Sequence, residues 1–482
     1  MSLIDDFIGV FSPSAKLSRV RARRAIEIIS KRSYDGANSG RRTSGWITPS
    51  TSANSEITPS ISKLRDRSRD LVRNNPYAAK AIRVLVSNMI CTGIVPSIKD
   101  KKTQKLYNKW IKECDADGQL NYYGLQHLSG RTMFESGECL IRFRYRRPED
   151  NLSVPLQLQV LEPDYIDNNK NELLRTGGYI QNGIEYDPIG RRVAYWLYKQ
   201  HPGENNGIVW QSLQSYRVLA DDIIHLYVKF RPGQSRGVPI FAPIMMTAND
   251  LDEYEEATLV RKAAEACITA IVESDDESRT LGGETIESNT QRRLEELAPG
   301  MIEYLRNGEK ITFNNPPASN GYAEYINTRL HAIAAGCGVT YEQLTGDLSQ
   351  VNYSSIRAGT LDFRREIEQL QWLTFIPTVC ERIMDVWLKT ANLVDKSIKV
   401  DQVIEHTTPK WDWVDPLKDI KGEEMEIGNN LKSWSEGARQ RGYNPADLMA
   451  EIVADRKMFE AAGIPYPSNQ SAPMQQDINS QN

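Results

Sequence analysis

The stretch Thr345-Gly346-Asp347-Leu348-Ser349-Gln350-Val351-Asn352-Tyr353-Ser354-Ser355, with the periodic run behind it to about Leu388, decides how this chain folds. Its opening residues are mostly small or polar, as a loop requires. Ile356, Phe363, Ile367, Leu370, Leu373, Ile376, Val379, Ile383 and Val386 then recur at steps of three, four or seven. That spacing puts them on one face of an α-helix. Ser354 or Ser355 is placed to cap its first turn. Pro377 removes a backbone donor, which predicts a bend near Phe375. One small core cannot bury both ends of so long a helix, so the pattern suits a large, layered or ring-shaped assembly.

Upstream of this stretch, Gly321 to Gly336 reads as a helix. Before it lies a loop-rich excursion, 274–318, in which Ile302, Tyr304 and Leu305 and then Ile311 and Phe313 suit short strands joined at Asn307-Gly308. From Pro239 or Ile240 a helix is predicted as far as about Glu273, spanning about 50 Å. Between Ile240 and Ser274 it carries seven acids against two bases. Residues 138–230 change to period two, in Cys139 to Tyr145, Leu156 to Val160, Val193 to Tyr198 and Asp222 to Phe230. Asp187-Pro188-Ile189-Gly190 forms a hairpin turn among them. This predicts an antiparallel sheet packed on helices, an α+β domain. Helices are expected from Ile61 to Gly93 with a junction at Pro76, from Thr103 to Asp115 and from Tyr122 to Gly137. Arg65, Arg67, Arg69 and Arg73 either form a patch for nucleic acid or pair with nearby acids. Beyond Leu388, Asp395 to Glu405 suits a strand, and Leu417 to Gly437 and Pro445 to Ala462 suit helices.

Residues 1–60 and 466–482 are polar and of low complexity, a composition that predicts disorder. The basic run from Lys16 to Arg32 is either an arm touching DNA or a partner, or a solvated tail. A hydrophobic share of 40% and a charged share of 25% are ordinary for a soluble chain. A net charge of −4 argues against a surface that grips nucleic acid all over. No run of eighteen apolar residues suggests a membrane span, and the start of the chain lacks the order of a signal peptide. The six cysteines are scattered without a CxxC pair, so reduced thiols are expected rather than a metal site.

No phosphate-binding GxxxxGK[ST] loop, HExxH, GxSxG or nucleotide-binding GxGxxG occurs. Ser60-Ile61-Ser62-Lys63 has the spacing of some serine acyl enzymes but lacks companion motifs. Asp275, Asp276 and Glu277 are consecutive in a loop and read as a solvated charge run. No catalytic, metal-ligating or cofactor-binding set is therefore expected.

Four segments resemble the lambda-like family of phage portal proteins. They are Leu64-Arg65-Asp66-Arg67-Ser68-Arg69-Asp70-Leu71-Val72-Arg73-Asn74-Asn75-Pro76, Arg231-Pro232-Gly233-Gln234-Ser235-Arg236-Gly237-Val238-Pro239, Gly346-Asp347 with Asn352-Tyr353-Ser354-Ser355-Ile356-Arg357, and Trp411-Asp412-Trp413-Val414-Asp415-Pro416. They stand in family order over about residues 60–465. The resemblance implies an α+β portal-type subunit. After a basic arm (1–60) it has a wing (61–239), a first stem helix (240–274), a clip (275–318), a second stem helix (319–338) and a tunnel loop (339–353). A long wing helix and return (354–415), a helical crown (416–465) and a tail (466–482) complete it.

It further implies a closed ring, usually of twelve subunits, at one capsid vertex of the virion, assembled in the host cytoplasm. Double-stranded DNA passes through such a ring during packaging and ejection, without sequence recognition. The implied partners are the terminase large subunit, a head–tail connector protein and the major capsid protein or scaffold; no cofactor, metal or membrane is implied. Asp347, Ser349, Gln350 and Asn352 are the expected DNA-facing residues of the tunnel loop, unless that loop packs against the subunit wall. Asp250, Asp252, Glu253, Glu255 and Glu256 either line the channel, where acids keep a duplex sliding, or pair with arginines of the adjacent subunit. The rival reading is a DNA-processing enzyme, such as a metal-dependent nuclease using scattered carboxylates.

Overall fold

A computed structural model describes residues 45, 48–204, 214–267, 271–273, 285–286, 293–294, 310–312, 321–349, 351–411, 416–443 and 445–466. The chain divides into two units, Met1–Ser55 and Glu56–Asn482. A short helix at Ala53–Ile57 lies within the segment expected to be disordered; Lys16 to Arg32 and the tail from 467 fall outside the described residues. The rest concerns the second unit.

Helix α1 (Ile61–Asn74) and helix α2 (Pro76–Met89) meet at Asn75, whose side chain accepts from the N–H of Ala78 and so caps α2, with Pro76 at its first position. Ser60 and Lys63 are both exposed at the start of α1, so the SxxK spacing builds no enclosed site. Strand β1 (Val95–Ser97), helix α3 (Lys101–Trp110) and helix α4 (Tyr122–Ser136) follow. Where one antiparallel sheet was expected there are two. Strands β2 (Glu138–Tyr145), β3 (Leu156–Leu161) and β9 (Ile223–Tyr227) form a three-stranded sheet in the order β3-β2-β9. Strands β4 (Glu172–Leu173), β5 (Tyr179–Gln181), β6 (Ile184–Tyr186), β7 (Arg192–Leu197) and β8 (Tyr216–Leu219) form a five-stranded meander.

Alternation along β2 explains why two sheets are needed. Cys139, Ile141 and Phe143 enter the main core with the helices, while Leu140 enters a second core with Leu161, Ile223, Tyr195 and Val218. The strand is thus buried on both faces at its start, and each face needs its own cover. In the main core, Trp110 donates to the carbonyl of Leu156 at 2.7 Å, and Tyr107 meets Trp387 edge-on at 5.4 Å.

Helix α5 starts at Met245 rather than Pro239 and ends at Cys267, about 34 Å long instead of 50. Pro243 lies just ahead of it, and Ala242 and Ile244 bond back to Pro239 and Phe241 as turns. After α5, β10 (Ile271–Glu273) pairs antiparallel with β13 (Lys310–Thr312), and β11 (Thr285–Ile286) with β12 (Arg293–Leu294). The partner of 310–312 is therefore the outgoing strand at 271–273. Residues 302–308, the other half of the expected hairpin, lie outside the described residues, as do Asp275, Asp276 and Glu277.

Helix α6 (Tyr322–Cys337) returns antiparallel beside α5: Tyr254 meets Tyr322 and Tyr325 at one end, and Ile244 meets Gly336 at the other. A Cβ on Gly336 would stand 2.1 Å from Ile244 Cγ2, so only glycine permits this approach.

The long helix runs as α8 (Tyr353–Leu370), a π-helical stretch (Gln371–Cys380) containing Pro377, and α9 (Glu381–Val394). Most of the predicted stripe is buried, but Leu373 is 75% exposed, and Gln371 is buried instead, donating to the carbonyl of Met89 at 2.7 Å. Pro377 cannot complete the normal ladder, and π-type bonding widens each turn by about one residue. The phase of the stripe slips at that point.

The expected strand at 395–405 is a turn, closed by Ser397 N–H on Asp395, with β14 (Glu405–Thr407) after it pairing with β1. The expected helix from Leu417 to Gly437 is two, α10 (Pro416–Gly428) and α11 (Trp434–Gln440). They break at Asn430, which has a positive φ of 57°, and Ser433 caps the second. Helix α12 (Pro445–Ala462) closes the described chain. Among the described residues, no helix is long and apolar enough to cross a membrane.

Candidate functional site

Two of the segments singled out in the sequence converge on one buried carboxylate, Glu138 at the start of β2. Arg65, from α1, donates to its Oε1 at 3.0 Å; Arg236, from the Arg231-to-Pro239 segment, reaches both oxygens through Nε at 3.0 Å. Gly237 N–H donates to Oε2 at 2.8 Å. The close approach requires glycine, since a Cβ on Gly237 would lie 2.0 Å from the carbonyl oxygen of Gly137. Gln234 braces the same turn, accepting from the N–H groups of Phe230 and Arg231 and donating to the carbonyl of Arg236.

His225, on β9, completes the cluster with Nε2 at 2.9 Å from Glu138 Oε2, and its Nδ1 faces Arg192 at 3.3 Å. An arginine only donates, so Nδ1 accepts and Nε2 carries the proton. Burial holds the imidazole down at about 4, against the pull of Glu138 in the other direction. Burial pushes the Glu138 carboxyl up, but Arg236 and the His225 bond outweigh it and hold it well below the usual range.

Arg65 also bonds Asp164, as does Arg69, at 3.1 and 2.6 Å. Arg73 pairs with Asp70, and Arg67 is exposed. Of the two readings of the arginine cluster, pairing with acids holds for Arg65, Arg69 and Arg73. Glu138 and His225 were not singled out from sequence; the available signal was a lone acid opening an apolar strand.

Glu162, Asp164 and His201 bring ligand atoms within 4.8 Å of one another. Both Asp164 oxygens are already bonded by arginines, and Arg69 also reaches Glu162 at 3.4 Å. Two fixed cations at that distance do not fit a divalent ion. A cavity of about 920 Å³ between α8, α10 and α11 is lined largely by charged side chains, several of which are paired. Arg357 pairs with Asp419, Lys432 with Glu423, and Trp411 donates to Glu368.

The five acids of α5 do not form one set. Asp252 accepts from Asn75 Nδ2 at 2.8 Å, and Glu255 is half-buried close enough to Tyr77 to help raise that phenol, whose shift comes first from burial. Asp250, Glu253 and Glu256 are exposed and recur every three residues, so they share a side of the helix.

The expected 339–353 loop is shorter. Tyr341–Thr345 forms helix α7, started by a capping box between Thr340 and Gln343 and anchored by buried Leu344. The loop proper runs from Gly346, with φ at 79°, to Asn352. Asp347 accepts from Ser349 N–H at 2.9 Å, which lowers its carboxyl. Asn352, not Ser354 or Ser355, caps α8 by accepting from Ser355 N–H at 2.9 Å. Ser349 lies between these two anchors, and Gln350 lies outside the described residues. Asn352→Ala is expected to cost about 1 kcal/mol by losing this cap, and Asn352→Asp to restore most of it. Thermal midpoints of the three proteins measure the difference.

The family described as phage portal protein, lambda family, matches residues 39–371. The probable portal protein of Halomonas phage phiHAP-1 is 28% identical over 468 residues, covering 90% of this chain and 88% of that protein. Portal protein B of Escherichia phage lambda is 22% identical over 502 residues, 90% of each chain. Among solved structures, a chain in the virion of a native gene transfer agent particle aligns with a TM-score of 0.44 and 14% identity, over 80% of this chain and 93% of that one. An HK97 family phage portal protein from Corynebacterium diphtheriae aligns with a TM-score of 0.29 and 11% identity, over 74% and 97%.

Proposed function

This chain belongs to the lambda family of phage portal proteins, and from that premise we propose that its copies close into a ring at one capsid vertex of the virion, through which double-stranded DNA is packaged and ejected. The observation that best supports this is the helix pair α5 and α6. They lie antiparallel and bracket the excursion from 274 to 320, with the β10–β13 ribbon at its base. In this reading the pair is the stem and the excursion is the clip, which meets the terminase large subunit and later a head–tail connector protein. The ring acts as a conduit without catalytic chemistry of its own. Asp250, Glu253 and Glu256 face the channel, where like charge keeps phosphates from being held.

The test is electron microscopy and native mass spectrometry of the purified protein, with an assay for magnesium-dependent DNA cleavage. A ring-sized oligomer without cleavage is expected. A monomer or dimer that cuts DNA would sink the portal reading and favour the nuclease.

The loop from Gly346 to Asn352 is proposed to reach the channel and touch DNA in any register, because short polar groups that meet phosphates read no sequence. Replacing 347–350 with Gly and Ser, and leaving Asn352 to cap α8, is expected to spare the ring but lower the yield of filled heads. Full, infectious heads at normal yield would remove the loop from the mechanism.

A further inference from the structure

The face of β2 that carries Glu138 continues to a different ending. Glu138 and Leu140 on this face are buried, and Leu140 lies beneath the five-stranded sheet. The same alternation then presents Arg142, Arg144 and Arg146, all half-exposed, with Arg142 at the rim of that sheet beside Tyr216 of β8. Two residues of strand advance about 6.8 Å, so the three arginines follow one another along one face of β2 and its continuation past Tyr145. Arg142 lies 5.5 Å from the ring centroid of Tyr216 and bonds its hydroxyl at 2.5 Å, and Arg146 donates to Gln157 at 2.7 Å. Both ends of the row are thereby held in place.

Among the described residues no carboxylate compensates this row: none pairs with any of the three, whereas Arg65 and Arg236 at the other end of the face both meet Glu138. The residues opposite Arg142 and Arg144 on β3 are Gln159 and Gln157, and on β9 Arg142 faces Ile223. Burial and the neighbouring charges of Arg142 and Arg146 push the Arg144 guanidinium down from its ordinary value. An unmatched row of like charge is costly unless an outside anion completes it.

We propose that Arg142, Arg144 and Arg146 bind the phosphate backbone of duplex DNA on this face of the sheet, without reading sequence. Three successive guanidinium groups on one face suit a polyanion, and arginine pairs with phosphate in a fixed fork. An acidic protein partner fits less well. Protein interfaces centre on apolar anchors; beside this row stand Gln157, Gln159 and Tyr216, whose hydroxyl is already bonded to Arg142, and exposed Tyr145 alternates to the other face. The proposal rests on the portal reading only for the supply of duplex DNA.

The test measures binding of a short fluorescent duplex to the full-length protein as salt is varied, in wild type and in Arg142→Gln/Arg144→Gln/Arg146→Gln. Native mass spectrometry and circular dichroism are run on the same samples. Losing three phosphate contacts should lower the slope of log K against log salt by about 2.7, and affinity at low salt should fall more than tenfold. Lysine at the same three positions should keep most of the slope, and two duplexes of unrelated sequence should bind alike. Arg144→Gln alone, which disturbs no bond to Tyr216 or Gln157, should remove about one third of the effect. An unchanged slope in a folded triple variant overturns the proposal, as does polyglutamate binding in preference to the duplex. Rings with an unchanged slope sink this site and leave the portal reading standing. An arginine-dependent slope in a protein that forms no ring does the reverse.

Discussion

Arg236→Ala is expected to lose about 3–5 kcal/mol of folding stability, the range for removing one partner of a buried ion pair. Glu138 would stay fully buried with Arg65, which also serves Asp164. The lost side chain also donates to Asn168 and to the carbonyl of Asn182, so the turn that joins the two sheets loosens with it. The double variant Arg236→Met/Glu138→Met should recover most of the loss. It removes one charge of each sign and leaves Arg65 matched to Asp164, and apolar groups of similar volume often replace a buried pair without cost. Urea midpoints of the single and double variants decide the matter. A double variant as unstable as the single one would show that shape, not charge, governs this cluster.

Acid should destabilise the protein well above the carboxylate range. Burial holds His225 and His406 at about 4 in the folded chain, against an ordinary value of 6.5. Between those values the unfolded chain binds protons that the folded chain refuses. Each histidine's contribution is therefore fully present above pH 6.5 and lost as pH falls toward 4, about 3 kcal/mol apiece. Glu138, also depressed, extends the loss in the same direction at lower pH. The urea midpoint should fall steeply from pH 7 to pH 4.5. His406→Phe removes one of the two groups, whose Nε2 is buried without a hydrogen-bond partner among the described residues, and should roughly halve the fall. An equal fall in wild type and variant would mean that His406 titrates normally.

Some features were legible because a few neighbouring residues determine them. Asp187-Pro188-Ile189-Gly190 makes its turn between β6 and β7, with Asp187 accepting from the N–H groups of Ile189 and Arg191. The helix from Pro445 to Ala462 has the bounds its pattern predicts. The four motifs named the family, since the residues and their order along the chain were enough.

Other features depend on groups far apart in sequence. Pro377 announced an interruption of the long helix, but its form, with Gln371 turned in to Met89 and Leu373 turned out, is set by what packs against each turn. The acids of α5 looked alike until Asn75 claimed Asp252 and burial near Tyr77 set Glu255 apart. Asn352 looked like a free polar group of a loop until the backbone put it at the head of α8. Glu138 carried no motif at all; its partners come from 73, 87 and 98 residues away. Sequence by itself determined the helical and strand periods, most turns and the family, because backbone bonding and capping act over a few residues. Only the tertiary structure decided which charges are neutralised and which, like Arg142, Arg144 and Arg146, are left facing outward, because a charge is matched by whatever lies within a few ångströms of it in space.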